Sequence, residues 1–163
     1  MELRVMALQG MTGHQAGRQL LETMYWEKTG QPMPEICIAP GGKPYFADGS
    51  LYFSVSHTKR RVFCALSEYP IGIDAEELDR QIDLRLADKI LSAKERVLYN
   101  VQEDKRLTLL RFWVLKEAAA KCSGKGLCGY PNHTNFSPED ERISVIEHCL
   151  VAVIEQKERN HAV

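Results

Sequence analysis

The chain has 163 residues, 44% of them hydrophobic, which is the size of one ordinary domain with a sizeable core. Its 21 Lys and Arg balance 22 Asp and Glu for a net charge of −1, which argues against a general nucleic-acid binder but leaves room for a local phosphate-binding patch. Five cysteines, at positions 37, 64, 122, 128 and 149, match no zinc or redox spacing. With no secretory leader and no membrane-spanning apolar run, free thiols, a cytoplasmic location and no membrane partner are expected.

In chain order, Glu2–Leu8 alternates as a short strand. His14–Lys28 follows as an amphipathic helix that buries Leu20, Leu21, Met24 and Tyr25. Ile36 and Ile38 mark a short strand, and Pro40–Phe46 is a loop carrying the isolated cation Lys43. Leu51–His57 and Val62–Leu66 form a hairpin with a basic tip, His57 to Arg61. Ile71–Glu77 is a strand whose period of two sets the Asp74 and Glu76 carboxylates side by side on one face. Like charges so placed repel unless a cation separates them.

Ile82–Ile90 has a helical pattern. Leu91–Asn100 begins another helix, where Ser92 and Glu95 form a capping box. Leu107–Cys122 is the clearest helix of the chain. Leu107, Leu110, Val114 and Ala118 recur at core-facing spacing, while Trp113, Glu117 and Lys121 share a neighbouring face. Gly124–Gly126 stops it. Ile143–Glu147 and Cys149–Glu155 close the chain as two strands, and Lys157–Val163 is an expected frayed tail. The order divides into two α+β halves, residues 1–69 and 70–163.

Asp74, Glu76 and Glu117 are hard oxygen donors on regular elements, the chemistry suited to Mg²⁺. His57, Lys59, Arg60, Arg61 and Lys43 lie on loops where they could meet a phosphate. Glu117 is a candidate proton acceptor, and Lys121, one turn on, could orient it or touch phosphate. Gly124–Gly126 lacks the context of a Walker loop.

GKPYF, FSVSH, GIDAEE, LSAKE, FWVLKEAAAK and GKGL occur in that order between Gly42 and Leu127. In this combination the chain resembles the 4′-phosphopantetheinyl transferase superfamily, in its Sfp-type, surfactin-synthetase-activating branch, with a short N-terminal half. The resemblance implies an α+β fold of two similar lobes forming an intramolecular pseudodimer, with the site between them and no oligomer required. It implies transfer of 4′-phosphopantetheine from coenzyme A to a serine hydroxyl of an acyl or peptidyl carrier protein, releasing adenosine 3′,5′-bisphosphate. Asp74, Glu76 and Glu117 would hold Mg²⁺ on the pyrophosphate, with Glu117 also the base. Lys121 would contact phosphate or assist proton transfer. The Ser56–His57 pair would take the 3′-phosphate side of the nucleotide, and Lys43 and Arg61 would complete the coenzyme site. The alternatives are a catalytically silent coenzyme A or carrier-protein-binding relative and a Mg²⁺-dependent phosphohydrolase.

Overall fold

The same small motif occurs twice along the chain: a strand, helical structure, then an antiparallel hairpin whose second strand pairs back onto the first. The computed structural model describes residues 1–125 and 135–157. In the first unit, β1 (Glu2–Ala7) is followed by α1 (Gly13–Thr29), the short pair β2 (Ile36–Ile38) and β3 (Pro44–Phe46), and the hairpin β4 (Tyr52–His57) and β5 (Arg61–Ser67). In the second, β6 (Ile71–Glu77) leads to a 3₁₀ turn at Leu84–Leu86 and to helices α2 (Ala87–Ile90), α3 (Ala93–Val101) and α4 (Lys105–Ser123). The hairpin β7 (Ile143–Ile146) and β8 (Cys149–Glu155) completes it. The sheet orders are β1-β5-β4 and β6-β8-β7, so each lobe places its first strand beside its last and its middle strand outermost. The architecture is α+β with two similar lobes, as expected. Among the described residues, no helix is long and apolar enough to cross a membrane.

Local chemistry explains most boundaries. Thr12 caps α1 in a capping box with Gln15, and Gly30 ends it in the left-handed conformation. The buried stripe contains Leu20, Leu21, Met24 and Tyr25, joined by Ala16 and Gly17. Ser92 and Glu95 form the expected box at α3, Asp104 caps α4, and Gly124 at φ 72° ends it. The closing hairpin turns at Glu147 and His148, both at positive φ. Two stretches depart from the sequence pattern. Pro44–Phe46, expected as loop, pairs with β2 because Phe46 anchors it in the first core. The helix expected over Ile82–Ile90 is broken at its start. Asp83 accepts from the Arg85 amide and holds a tight 3₁₀ turn there, so only Ala87–Ile90 is α-helical. The end of GKGL, Cys128 and most of the expected tail lie outside the described residues.

Edge strands β4 and β6 meet across the seam between the lobes. They do so through serine side chains: the Ser54 hydroxyl accepts from the Ile73 amide at 3.1 Å and the Ser56 hydroxyl from the Ala75 amide at 3.2 Å. Ser54 and Ser56 are therefore buried, and they satisfy amides on the outer edge of β6. Lys43 adds a second tie. Its ammonium donates to the carbonyls of Cys122 at 2.6 Å and Ile71 at 3.4 Å. Burial pushes its pKa down. Arg60 and Arg61 add a third, reaching from the tip of the β4–β5 hairpin to Glu77 and Glu147.

Helix α4 packs against β6 at Gly72. A Cβ there would lie 2.0 Å from the Ala118 carbonyl oxygen and 2.4 Å from the Cys122 amide nitrogen, so only glycine admits the helix backbone. On the helix's other side, the fully buried Lys116 pairs with the fully buried Glu95 at 2.8 Å. Glu95 also accepts from the amides of Ser92 and Phe136, which ties α3, α4 and the segment before β7 together.

Two stability predictions follow from this packing. Gly72→Ala is expected to cost about 1–3 kcal/mol in urea unfolding, the range for overpacking a tight contact. Glu95→Gln, which leaves the Lys116 ammonium buried without that counter-charge, should cost about 3–5 kcal/mol. Wild-type midpoints in either variant would contradict the corresponding packing role.

Candidate functional site

β6 carries Asp74 and Glu76 to the seam, and α4, seated on Gly72, brings Glu117 and Lys121 over them. These four side chains line one cavity of about 330 Å³ with Ser56, His57, Arg80 and Trp113. Asp74 is buried. Its Oδ1 accepts from Lys121 at 2.7 Å and from the Ser56 hydroxyl at 3.0 Å. Ser56 thus accepts from the Ala75 amide and donates to Asp74, linking backbone and carboxylate in one relay. The second oxygen, Oδ2, is buried with no hydrogen-bond partner among the described residues. Glu76 forms an ion pair with Arg80 and accepts from the Trp113 indole at 3.3 Å. The Arg80 guanidinium also lies 5.8 Å from the centre of the Trp113 ring.

The carboxylates affect one another. The Glu117 pKa is raised, first by burial and then by the charge of Asp74, with Lys121 and Arg80 opposing. The Asp74 pKa is raised by burial, opposed by Lys121 and by the Ser56 hydrogen bond. Among the described residues, no group of three His, Cys, Asp or Glu side chains is placed to hold a metal ion. As arranged, Asp74 and Glu76 face the cations of Lys121 and Arg80. The chemistry of the donor set nonetheless fits a hard divalent ion: three carboxylates border one cavity, and one buried carboxylate oxygen has no partner among the described residues.

A second cavity, of about 380 Å³, adjoins the first and shares Glu117 and Lys121 with it. The loop Gly41–Pro44 forms its far wall. This loop approaches the end of α4 closely, since a Cβ on Gly41 would stand 2.3 Å from the Gly124 carbonyl oxygen. Lys43 lines this cavity, although its ammonium is committed to the carbonyls of Cys122 and Ile71. His57 borders the first cavity, and its ring packs over Gly13 at the start of α1.

The structure thus brings together Asp74, Glu76, Glu117, Lys121, Ser56 and His57. It does not bring Arg61 with them. The guanidinium expected on phosphate is on Glu147 at 2.8 Å, and Arg60 is on Glu77, because the basic tip crosses to acids on the other lobe. Sequence reasoning missed Arg80. The available signal was its spacing, four residues after Glu76 in a segment with no strong element pattern.

The shifted Glu117 gives a pH test on metal-free protein. A carboxyl whose pKa is raised by folding holds its proton more tightly in the folded chain. The stability it contributes is present at low pH and is lost as pH rises out of the ordinary carboxylate range through the raised value. Glu117→Gln carries no such loss. Thermal melts should therefore show the variant more stable than wild type at neutral pH, with the gap closing as the solution is acidified. Equal melting temperatures throughout would contradict the shift.

Comparison with known proteins agrees with this geometry. The sequence model of the 4′-phosphopantetheinyl transferase superfamily matches residues 70–161. The chain is 33% identical over 88 residues to the 4′-phosphopantetheinyl transferase gsp of Aneurinibacillus migulanus, covering 53% of this chain and 36% of that protein. It is 33% identical over 116 residues to psf-1 of Bacillus pumilus, covering 68% and 49% respectively. It is 35% identical over 114 residues to AcpT of Escherichia coli O157:H7, covering 67% and 56%. The matched regions span between about a third and just over half of these relatives' lengths. With more than half of its residues matched by the family model, and with two similar lobes meeting at a carboxylate-lined seam, the chain belongs to the 4′-phosphopantetheinyl transferase superfamily.

Proposed function

We propose that this chain transfers 4′-phosphopantetheine from coenzyme A to a serine hydroxyl of an acyl or peptidyl carrier protein, as a two-lobed member of the Sfp-type branch acting as a monomer. The observation that carries the reading is the convergence of Asp74, Glu76 and Glu117 on one cavity, with a buried Asp74 oxygen lacking a partner among the described residues. The division into lobes falls near residue 70, and the active site lies between them.

Asp74, Glu76 and Glu117 would hold Mg²⁺. When bound, that ion supplies charge neutralisation for a pyrophosphate. The remaining chemistry belongs to the side chains. Glu117, whose pKa is raised, is suited to accept the proton of the attacking serine hydroxyl. The serine oxygen forms its bond to the β-phosphorus of coenzyme A, the one carrying the pantetheine arm. The bond from that phosphorus to the bridging oxygen breaks, and adenosine 3′,5′-bisphosphate leaves with the electron pair. Lys121, on the edge shared by the two cavities, supplies positive charge toward the phosphates while holding Asp74 in place. Ser56 fixes the other approach to Asp74, and His57 offers a donor at the cavity mouth. The adjoining cavity beside Gly41–Pro44 accommodates the nucleotide end, with Lys43 acting from its wall.

The test is mass spectrometry of a panel of apo-carrier proteins incubated with the enzyme, coenzyme A and Mg²⁺. A carrier mass gain equal to the phosphopantetheine arm is expected. Cleavage of coenzyme A with no carrier modification would identify a phosphohydrolase instead, and neither product would leave a binding protein. Asp74→Ala and Glu117→Gln should each lower turnover by about 100-fold or more while circular dichroism remains that of the folded protein.

A further inference from the structure

Arg80 is a cation at the site to which the proposed chemistry gives no role. It follows the end of β6 and bonds back to Glu76, while its guanidinium lies over the Trp113 ring. The indole of that ring donates to the same carboxylate. Arg80, Trp113 and Glu76 thus form a closed triangle in which one carboxylate receives a cation and a neutral donor. Arg80 is 39% exposed, so its guanidinium can leave into solvent without opening the core. It borders the carboxylate cavity and also a neighbouring cavity of about 700 Å³ lined by His57, Lys59 and Glu77. The neighbouring cavity leaves room beside the guanidinium on the side away from Asp74 and Glu117.

We infer that Arg80 is a resident counter-cation that competes with the divalent ion for Glu76 and turns outward when the ion binds. The inference rests on the metal-binding role proposed above. A guanidinium on Glu76 balances the repulsion between neighbouring carboxylates when no ion is bound. The Arg80 and Trp113 contacts both fall on Oε1 of Glu76, and an ion that takes that oxygen displaces the guanidinium, so Arg80 sets the ion concentration at which the site fills. Released, its charge stands at the mouth shared by both cavities, where an anionic substrate would meet it. Arg80 is a positioning residue for Glu76 and does not itself touch the reacting atoms.

The probe is Mn²⁺, titrated into the full chain with and without coenzyme A and followed by the disappearance of the free-ion electron paramagnetic resonance signal. Arg80→Gln should bind Mn²⁺ about fivefold or more tightly than wild type, with Arg80→Lys between them. In the Glu76→Gln background, where the contested ligand is gone, the Arg80→Gln change should have little further effect. Equal affinity of Arg80→Gln and wild type overturns the inference and leaves the metal role intact. So does a gain that persists undiminished in Glu76→Gln, because that is repulsion at a distance rather than competition for one ligand. Failure of all the proteins to bind Mn²⁺ overturns the inference together with the metal role. Circular dichroism of the variants should remain that of the folded protein, which separates loss of fold from change in affinity.

Discussion

The contact between the backbone of α4 and Gly72 of β6 is the constraint on which the site depends. A helix normally stands off a strand by the thickness of the intervening side chains. Here the Ala118 carbonyl and the Cys122 amide occupy the space of the missing one. That close approach puts Glu117 and Lys121, on either side of Ala118, over Asp74, two residues along the strand. The apolar face of the helix and the Glu95–Lys116 pair hold it there from the other side. A buried ion pair is a costly way to fix a helix, because desolvation offsets much of the attraction. Its geometry is specific, however: Lys116 precedes Glu117, so fixing one fixes the rotation that aims the other.

The seam between the lobes follows the same logic with polar groups. Two edge strands could have joined in a continuous ladder. Instead, Ser54 and Ser56 intervene, and their hydroxyls take the amides of Ile73 and Ala75. This spacing leaves a cleft in place of a sealed sheet, and the buried Asp74 borders it with one oxygen bound and the other without a partner among the described residues. Lys43, Arg60 and Arg61 tie the lobes along the cleft. The side chains that shape the cavity are thus largely the ones that hold its two walls together.

Charge is arranged so that the metal-free protein is not left with bare carboxylates. Lys121 faces Asp74, and Arg80 faces Glu76. Glu117, half-buried and beside Asp74, holds its proton more tightly than an ordinary carboxyl. Pairing of this kind lets three carboxylates border one cavity within a stable fold.

The sequence by itself determined most of the elements and which faces of them carry the acidic residues at the seam. Alternation in Ile71–Glu77 placed Asp74 and Glu76 on one face, the spacing of four put Glu117 and Lys121 on one helix stripe, and Ser92 with Glu95 announced a cap that the structure contains. These are local properties, fixed by the periods of strand and helix and by capping geometry. Only the tertiary structure decided where long side chains ended. The basic hairpin tip reads as a phosphate site, but Arg60 and Arg61 cross to Glu77 and Glu147. The capping residue Glu95 also became a buried counter-charge for Lys116, and Arg80 took a place on Glu76. A flexible cation goes to whichever acid the fold brings within reach, and acids distant in sequence are brought there by packing, which no local period records.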